Sequence, residues 1–190
     1  MTALPSPTAV DDAVRIVGLR SQHGPGLLGV PRTGLRLSWR TESDDSDARL
    51  VGYQIAEGSE GAEPTIAEPV ADARTVGIAI PVELAARERR AFSVRVATPR
   101  GWSAWSEPLV VEAGVDGPGL EASVIGADTP PDGPVPLLRT EFVLDGAPTT
   151  ARLRLSALGL VDAWINGVRA TDALLTPGWT SYQERILVDT

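Results

Sequence analysis

The sequence predicts an all-β chain of two consecutive β-sandwich modules, and three observations carry that expectation. Apolar residues recur with period two in short runs, the spacing of strands that bury one face. Clusters of Gly, Pro, Asp and Ser interrupt the runs at short intervals, as turns between strands do. Residues 114–136 then change character: ten of these 23 positions are Gly or Pro. So few backbone donors and so many special φ values exclude a central strand.

The first module is read element by element. Val14 to Leu19 supplies an outer strand. Leu35, Leu37 and Trp39 then share one face, with Arg36, Ser38 and Arg40 on the other. Val51/Tyr53/Ile55, Val76/Ile78/Ile80 and Phe92/Val94/Val96 repeat the pattern, and Leu109 to Glu112 closes the set. Breakers fall between them at Gly24-Pro25-Gly26, Ser43 to Asp47, Glu63-Pro64 and Pro99-Arg100-Gly101. Glu83 to Arg90 is expected to form a helical turn. About six short strands within about 100 residues suggest an immunoglobulin-like or fibronectin type III-like sandwich over residues 14–113. Residues 1–13 are expected as a disordered lead-in.

Residues 114–136 read as a Gly/Pro-rich linker, with Ala122 to Ile125 packing briefly on the way. The second module covers residues 137–190. Leu138, Thr140, Phe142 and Leu144 alternate, and Ala151 to Ala157 is the clearest alternating strand of the chain. Val161, Ala163 and Ile165 share a face, after which Asn166-Gly167 supplies the dipeptide of a two-residue type I′ hairpin, pairing Val168 with Ile165. A loop is expected through Pro177-Gly178, and a last strand from Arg185. With about four strands, this module is expected to be an incomplete, jelly-roll-like sandwich, since so few leave edges and an apolar face open.

Composition narrows the function. Net charge is −8 and the basic residues are all arginine, dispersed along the chain, so nucleic acid is a poor partner. There is no cysteine, which removes disulfides, thiolate metal sites and a cysteine nucleophile. No apolar run approaches the roughly 20 residues that span a bilayer as a helix. Met1 to Pro7 lacks the basic and apolar regions of a secretory signal. A cytoplasmic location is therefore expected, with secretion by another route left open.

Some local patterns carry two readings. Trp102-Ser-Ala-Trp-Ser106 either forms a bulged last strand whose indoles cover the sandwich edge, or interleaves Arg95 between its tryptophans as cation–π pairs. Asp44, Asp45 and Asp47 read as a solvated acidic turn. His23, beside Gly24-Pro25, reads as a loop residue.

Four stretches carry a family resemblance: Pro136 to Phe142, Ala151 to Leu160, Trp164-Ile-Asn-Gly167, and Leu175-Thr-Pro-Gly-Trp-Thr-Ser-Tyr182. In order, spacing and turn residues they resemble the N-terminal β-sandwich of bacterial α-L-rhamnosidases of glycoside hydrolase family 78. The preceding residues resemble the fibronectin-like module that opens such enzymes, through the Trp39 strand, Tyr53-Gln-Ile55, Phe92 to Val96 and Gly101 to Ser106. Departures are Val161 for an aromatic, Ala170-Thr171 for Val-Gly, Val124 for the Trp common before the linker's Ile, and Phe92 at the tyrosine-corner position.

The resemblance implies a parent enzyme that hydrolyses terminal α-L-rhamnosyl groups from glycosides or polysaccharides with inversion. Its general acid and base would lie on a downstream (α/α) barrel, so no residue here is expected to be catalytic. The partners it implies are a rhamnose-containing glycan and that downstream catalytic domain. Alternation turns Asp162 and Trp164 outward together, where they meet either a sugar or a neighbouring domain. An indole stacks on a sugar ring and a carboxylate accepts its hydroxyls. Asn166, Trp179 and Tyr182 complete the candidate carbohydrate-binding set. No cofactor is required; calcium is possible, with Asp162, Asn166 and Asp172 as oxygen donors. The alternatives are a free-standing carbohydrate-binding module and a fibronectin-like protein-interaction module.

Overall fold

The computed structural model describes residues 3–22, 28–59, 62–115, 122–130 and 132–190. The Gly24-Pro25-Gly26 breaker and His23 lie outside the described residues. The chain divides into two units, Met1–Gly119 and Leu120–Thr190.

In the first unit the period-two pattern becomes two facing sheets. One has three strands: β1 (Val14–Ser21), β3 (Arg36–Ser43) and β6 (Ile78–Ala79), in the order β1-β3-β6. The other has five, in the order β2-β8-β7-β4-β5: β2 (Leu28–Val30), β4 (Gly52–Gly58), β5 (Thr65–Ile66), β7 (Arg89–Ala97) and β8 (Leu109–Ala113). All pairings of named strands are antiparallel except β2 with β8. Leu35, Leu37 and Trp39 are buried as their alternation requires, and Phe92, Val94 and Val96 face them from β7. Trp39 meets the Tyr53 ring edge-on, with centroids 5.5 Å apart, an arrangement favoured by the ring quadrupoles.

The structure corrects several expectations here. Val76 is exposed while Ile78 and Ile80 are buried, because Gly77 at φ 67° breaks the alternation between them. Glu83 to Arg90 contains no helix. The Glu88 carboxylate accepts the Ala85 amide at 2.8 Å, the Glu88 amide reaches the Ala85 carbonyl at 3.0 Å, and the chain turns through Arg87 at φ 66° into β7.

The described part of the expected disordered lead-in is packed. Leu4 lies against Val51, Ala97 and Trp102, and Val10 bridges Trp102 in parallel. The acidic turn is not simply solvated either, since Asp45 Oδ2 lies 2.6 Å from Arg100 Nη1.

The second unit has far less regular structure. Its strands are β9 (Gly159–Leu160), β10 (Trp164–Ile165), β11 (Val168–Arg169) and β12 (Pro177–Gly178), paired as β10-β11 and β12-β9. The Asn166-Gly167 hairpin forms as its turn chemistry dictates, with both residues at positive φ and Ile165 opposite Val168. Pro177-Gly178, expected as loop, pairs with Gly159-Leu160 instead.

Residues 138–144 and 151–157 do not form strands, and of the latter only Leu155 makes a bridge, to Asp189. The strand expected from Arg185 is reduced to that same bridge. A strand needs a neighbour to satisfy its backbone, and beyond that single bridge these segments have no ladder among the described residues. Val124 and Ile125 are exposed, Val124 at 91%, so the brief packing expected of Ala122 to Ile125 does not occur.

Candidate functional site

Residues 159–165 run between two short ladders. Gly159 and Leu160 pair with β12, whereas Trp164 and Ile165 pair with β11. Between the ladders, the Val161 amide donates to the Thr176 carbonyl and the Ala170 amide to Ala163, both at 2.8 Å. Trp164 stands opposite Arg169 across the hairpin. Side chains two apart on a strand, or directly opposite across a ladder, share a face. Asp162, Trp164 and Arg169 therefore lie together.

Trp164 is 62% exposed, which leaves its indole open to a ring-shaped partner. Asp162 is not a free acceptor, however. Its Oδ1 takes a hydrogen bond from Arg169 Nη2 at 2.5 Å, and the same nitrogen reaches the Ala173 carbonyl at 3.2 Å. Oδ2 accepts no hydrogen bond among the described residues and is open to a ligand hydroxyl. Asn166 occupies the turn at φ 50° with its side chain exposed. Arg169 is the residue that sequence reasoning missed. The signal was present, because an Asn-Gly turn that sets Val168 against Ile165 also sets Arg169 against Trp164.

Trp179 is 71% exposed, and the Tyr182 hydroxyl is a buried oxygen without a hydrogen-bond partner among the described residues. Gly178 lies beside Gly159, so Trp179 follows the β9–β12 ladder while Trp164 belongs to the β10–β11 hairpin. Among the described residues, no three acidic, histidine or cysteine side chains converge on a cation position.

In the first unit, Arg95 does interleave with the tryptophans. Its Cζ lies 4.7 Å from the Trp102 ring centroid and 4.9 Å from that of Trp105. Trp102 is 2% exposed and packs on Ala97 and Val51. Ser103 and Ser106 tie the segment to β7 twice each. Their hydroxyls accept the Val96 and Val94 amides, and their own amides return to the Val96 and Val94 carbonyls.

Comparison with known proteins places these features. The family model described as "Rha78A-like, N-terminal immunoglobulin domain" matches residues 16–116, more than half of the chain. The model described as "Alpha-L-rhamnosidase N-terminal domain" matches residues 146–190. The chain belongs to the family of Rha78A-like N-terminal immunoglobulin domains, followed by residues of the α-L-rhamnosidase N-terminal domain.

Solved rhamnosidases agree. The native enzyme of Aspergillus terreus is 26% identical with a TM-score of 0.70, covering 93% of this chain and 22% of that one. The Streptomyces avermitilis enzyme, solved with L-rhamnose, is 27% identical with a TM-score of 0.50, covering 54% of this chain and 11% of that one. The enzyme of Dictyoglomus thermophilum is 19% identical with a TM-score of 0.70 over 97% of this chain, and shares the fold. No curated protein matches the chain significantly. The chain spans less than a quarter of the length of these rhamnosidases.

Proposed function

We propose that this chain is the non-catalytic N-terminal portion of an α-L-rhamnosidase that hydrolyses terminal α-L-rhamnosyl residues from glycosides or polysaccharides. The observation that carries the reading is the pair of family matches, an opening immunoglobulin-like unit followed by the rhamnosidase N-terminal domain in the same order as the sequence.

Within this reading, Asp162, Trp164 and Asn166 form one rhamnosyl-contact patch, with Arg169 orienting Asp162. Trp179 and Tyr182 form a second contact, for the glycan or for the downstream catalytic domain. The exposed apolar residues of residues 137–190 are the surface on which further strands of the same domain close.

The decisive assay is hydrolysis of an aryl α-L-rhamnoside. The 190-residue chain should show no turnover, and a longer chain carrying the catalytic barrel should show it; turnover by the short chain overturns the proposal. Calorimetry with L-rhamnose tests the patch. Binding should be lost in Trp164→Ala, and unchanged affinity in that variant removes Trp164 from the site.

A further inference from the structure

We propose that Arg95, held between Trp102 and Trp105, is a receptor for a planar carboxylate on the outer face of the five-stranded sheet. Arg95 lies opposite Gln54 in the β4–β7 register, and its Nε donates to Gln54 Oε1 at 2.8 Å. Gln54 is fixed in turn, its Nε2 donating to the Ala67 carbonyl at 2.8 Å. With two indoles flanking the guanidinium and Nε engaged, the side chain is held in one geometry before any ligand arrives.

What remains open is the far edge. Among the described residues, Nη1 and Nη2 of Arg95 have no hydrogen-bond acceptor and no carboxylate within ion-pair distance. The other half-buried arginine of this sheet, Arg90, has Glu57 at 3.6 Å and Glu88 closer still. Burial pushes the Arg95 guanidinium below its ordinary proton affinity, so the cation is partly withdrawn from water with no counter-charge. Cation–π contact offsets part of that cost, and an anion at the open edge offsets the rest. A pre-fixed, planar pair of N–H donors matches the two oxygens of a carboxylate in one plane. The half-buried Trp105 ring offers an apolar wall to the carbon body of such a ligand.

The test titrates the full 190-residue chain with sodium glucuronate, acetate, sulfate and neutral glucose at constant ionic strength. Tryptophan fluorescence and the Arg95 Nε–Hε NMR signal are followed together. Both carboxylates should saturate and shift the Arg95 signal, sulfate should bind about tenfold more weakly, and glucose should do nothing. Tighter binding of glucuronate than acetate assigns the ligand to acidic sugars; equal binding assigns it to simple carboxylates. Arg95→Lys keeps the charge and loses the planar fork, so carboxylate affinity should fall about tenfold in a folded protein. An Arg95 signal that does not move in the unsubstituted chain, or a sulfate response as strong as the carboxylate response, overturns the assignment. These readouts do not involve rhamnoside hydrolysis and stand whatever the outcome of that assay.

Discussion

Gly101 carries no side chain because the backbone of residues 9 and 10 occupies the space where one would be. A Cβ there would lie 2.6 Å from the Val10 carbonyl carbon and 2.8 Å from that of Ala9. Gly101→Ala must lift the N-terminal segment off Trp102, an overpacking cost of about 1–3 kcal/mol. Thermal unfolding should show a melting point lower by several degrees.

Asp11 secures the same segment. It accepts the Thr98 hydroxyl at 2.5 Å, Arg100 Nε at 3.2 Å and the Ala13 amide at 3.2 Å, and Arg100 also holds Asp45. The Thr98 hydrogen bond, and after it Arg100, hold the Asp11 carboxyl below the usual range, against the opposing push of burial. The sign follows by linkage. The stabilisation is complete above the unfolded-state value of about 3.9 and is lost as pH falls through the lower folded-state value. Asp11→Asn should therefore destabilise at pH 7 and flatten the acid limb of a stability–pH curve; an unchanged acid limb removes Asp11 from this role. None of this was legible in sequence, because Thr98 and Arg100 are distant in the chain and no local pattern links them to Asp11.

Strands were legible where one face meets a core and two neighbours supply backbone partners. β3 follows its alternation from Arg36 to Arg40 and β7 from Phe92 to Val96, while Ala97 is buried next to Val96 because Leu4, Val51 and Trp102 pack on it. β4 buries Gly52, Gln54 and Ala56 as well as Tyr53, because Leu4, Val70 and Arg95 cover its outer face. Two-residue elements such as β5 and β6 are too short to show a period.

The Trp102 to Ser106 segment was readable from its pattern, and its energetics lie in the serines. Val96 donates its amide to the Ser103 hydroxyl at 3.1 Å in a buried setting. Ser103→Ala leaves that donor without this acceptor, at a cost of about 1–3 kcal/mol. Ser106→Ala, at a half-buried position, should cost less. A chemical denaturation series separates the two, and equal effects would contradict the ranking.

At the scale of the molecule the two units differ in kind. Every apolar residue in the two buried core clusters lies between Val14 and Ala113. Beyond the linker, Leu137, Phe142, Val143, Leu144, Trp164 and Trp179 are all exposed, Leu137 at 96%. The alternation in residues 138–144 and 151–157 is real, but a one-sided strand pattern becomes a strand only when a partner covers that side. Sequence could show the pattern and not the missing neighbour. The family match over residues 146–190 explains why the pattern is there. Hydrogen exchange on the 190-residue chain tests this division most directly. Amides of β3, β4 and β7 should exchange only through global unfolding, while those of residues 137–157 exchange at nearly unprotected rates. Protection of residues 137–157 equal to that of β7 would mean a sealed second sandwich, and would contradict the view that the buried core belongs to the first unit.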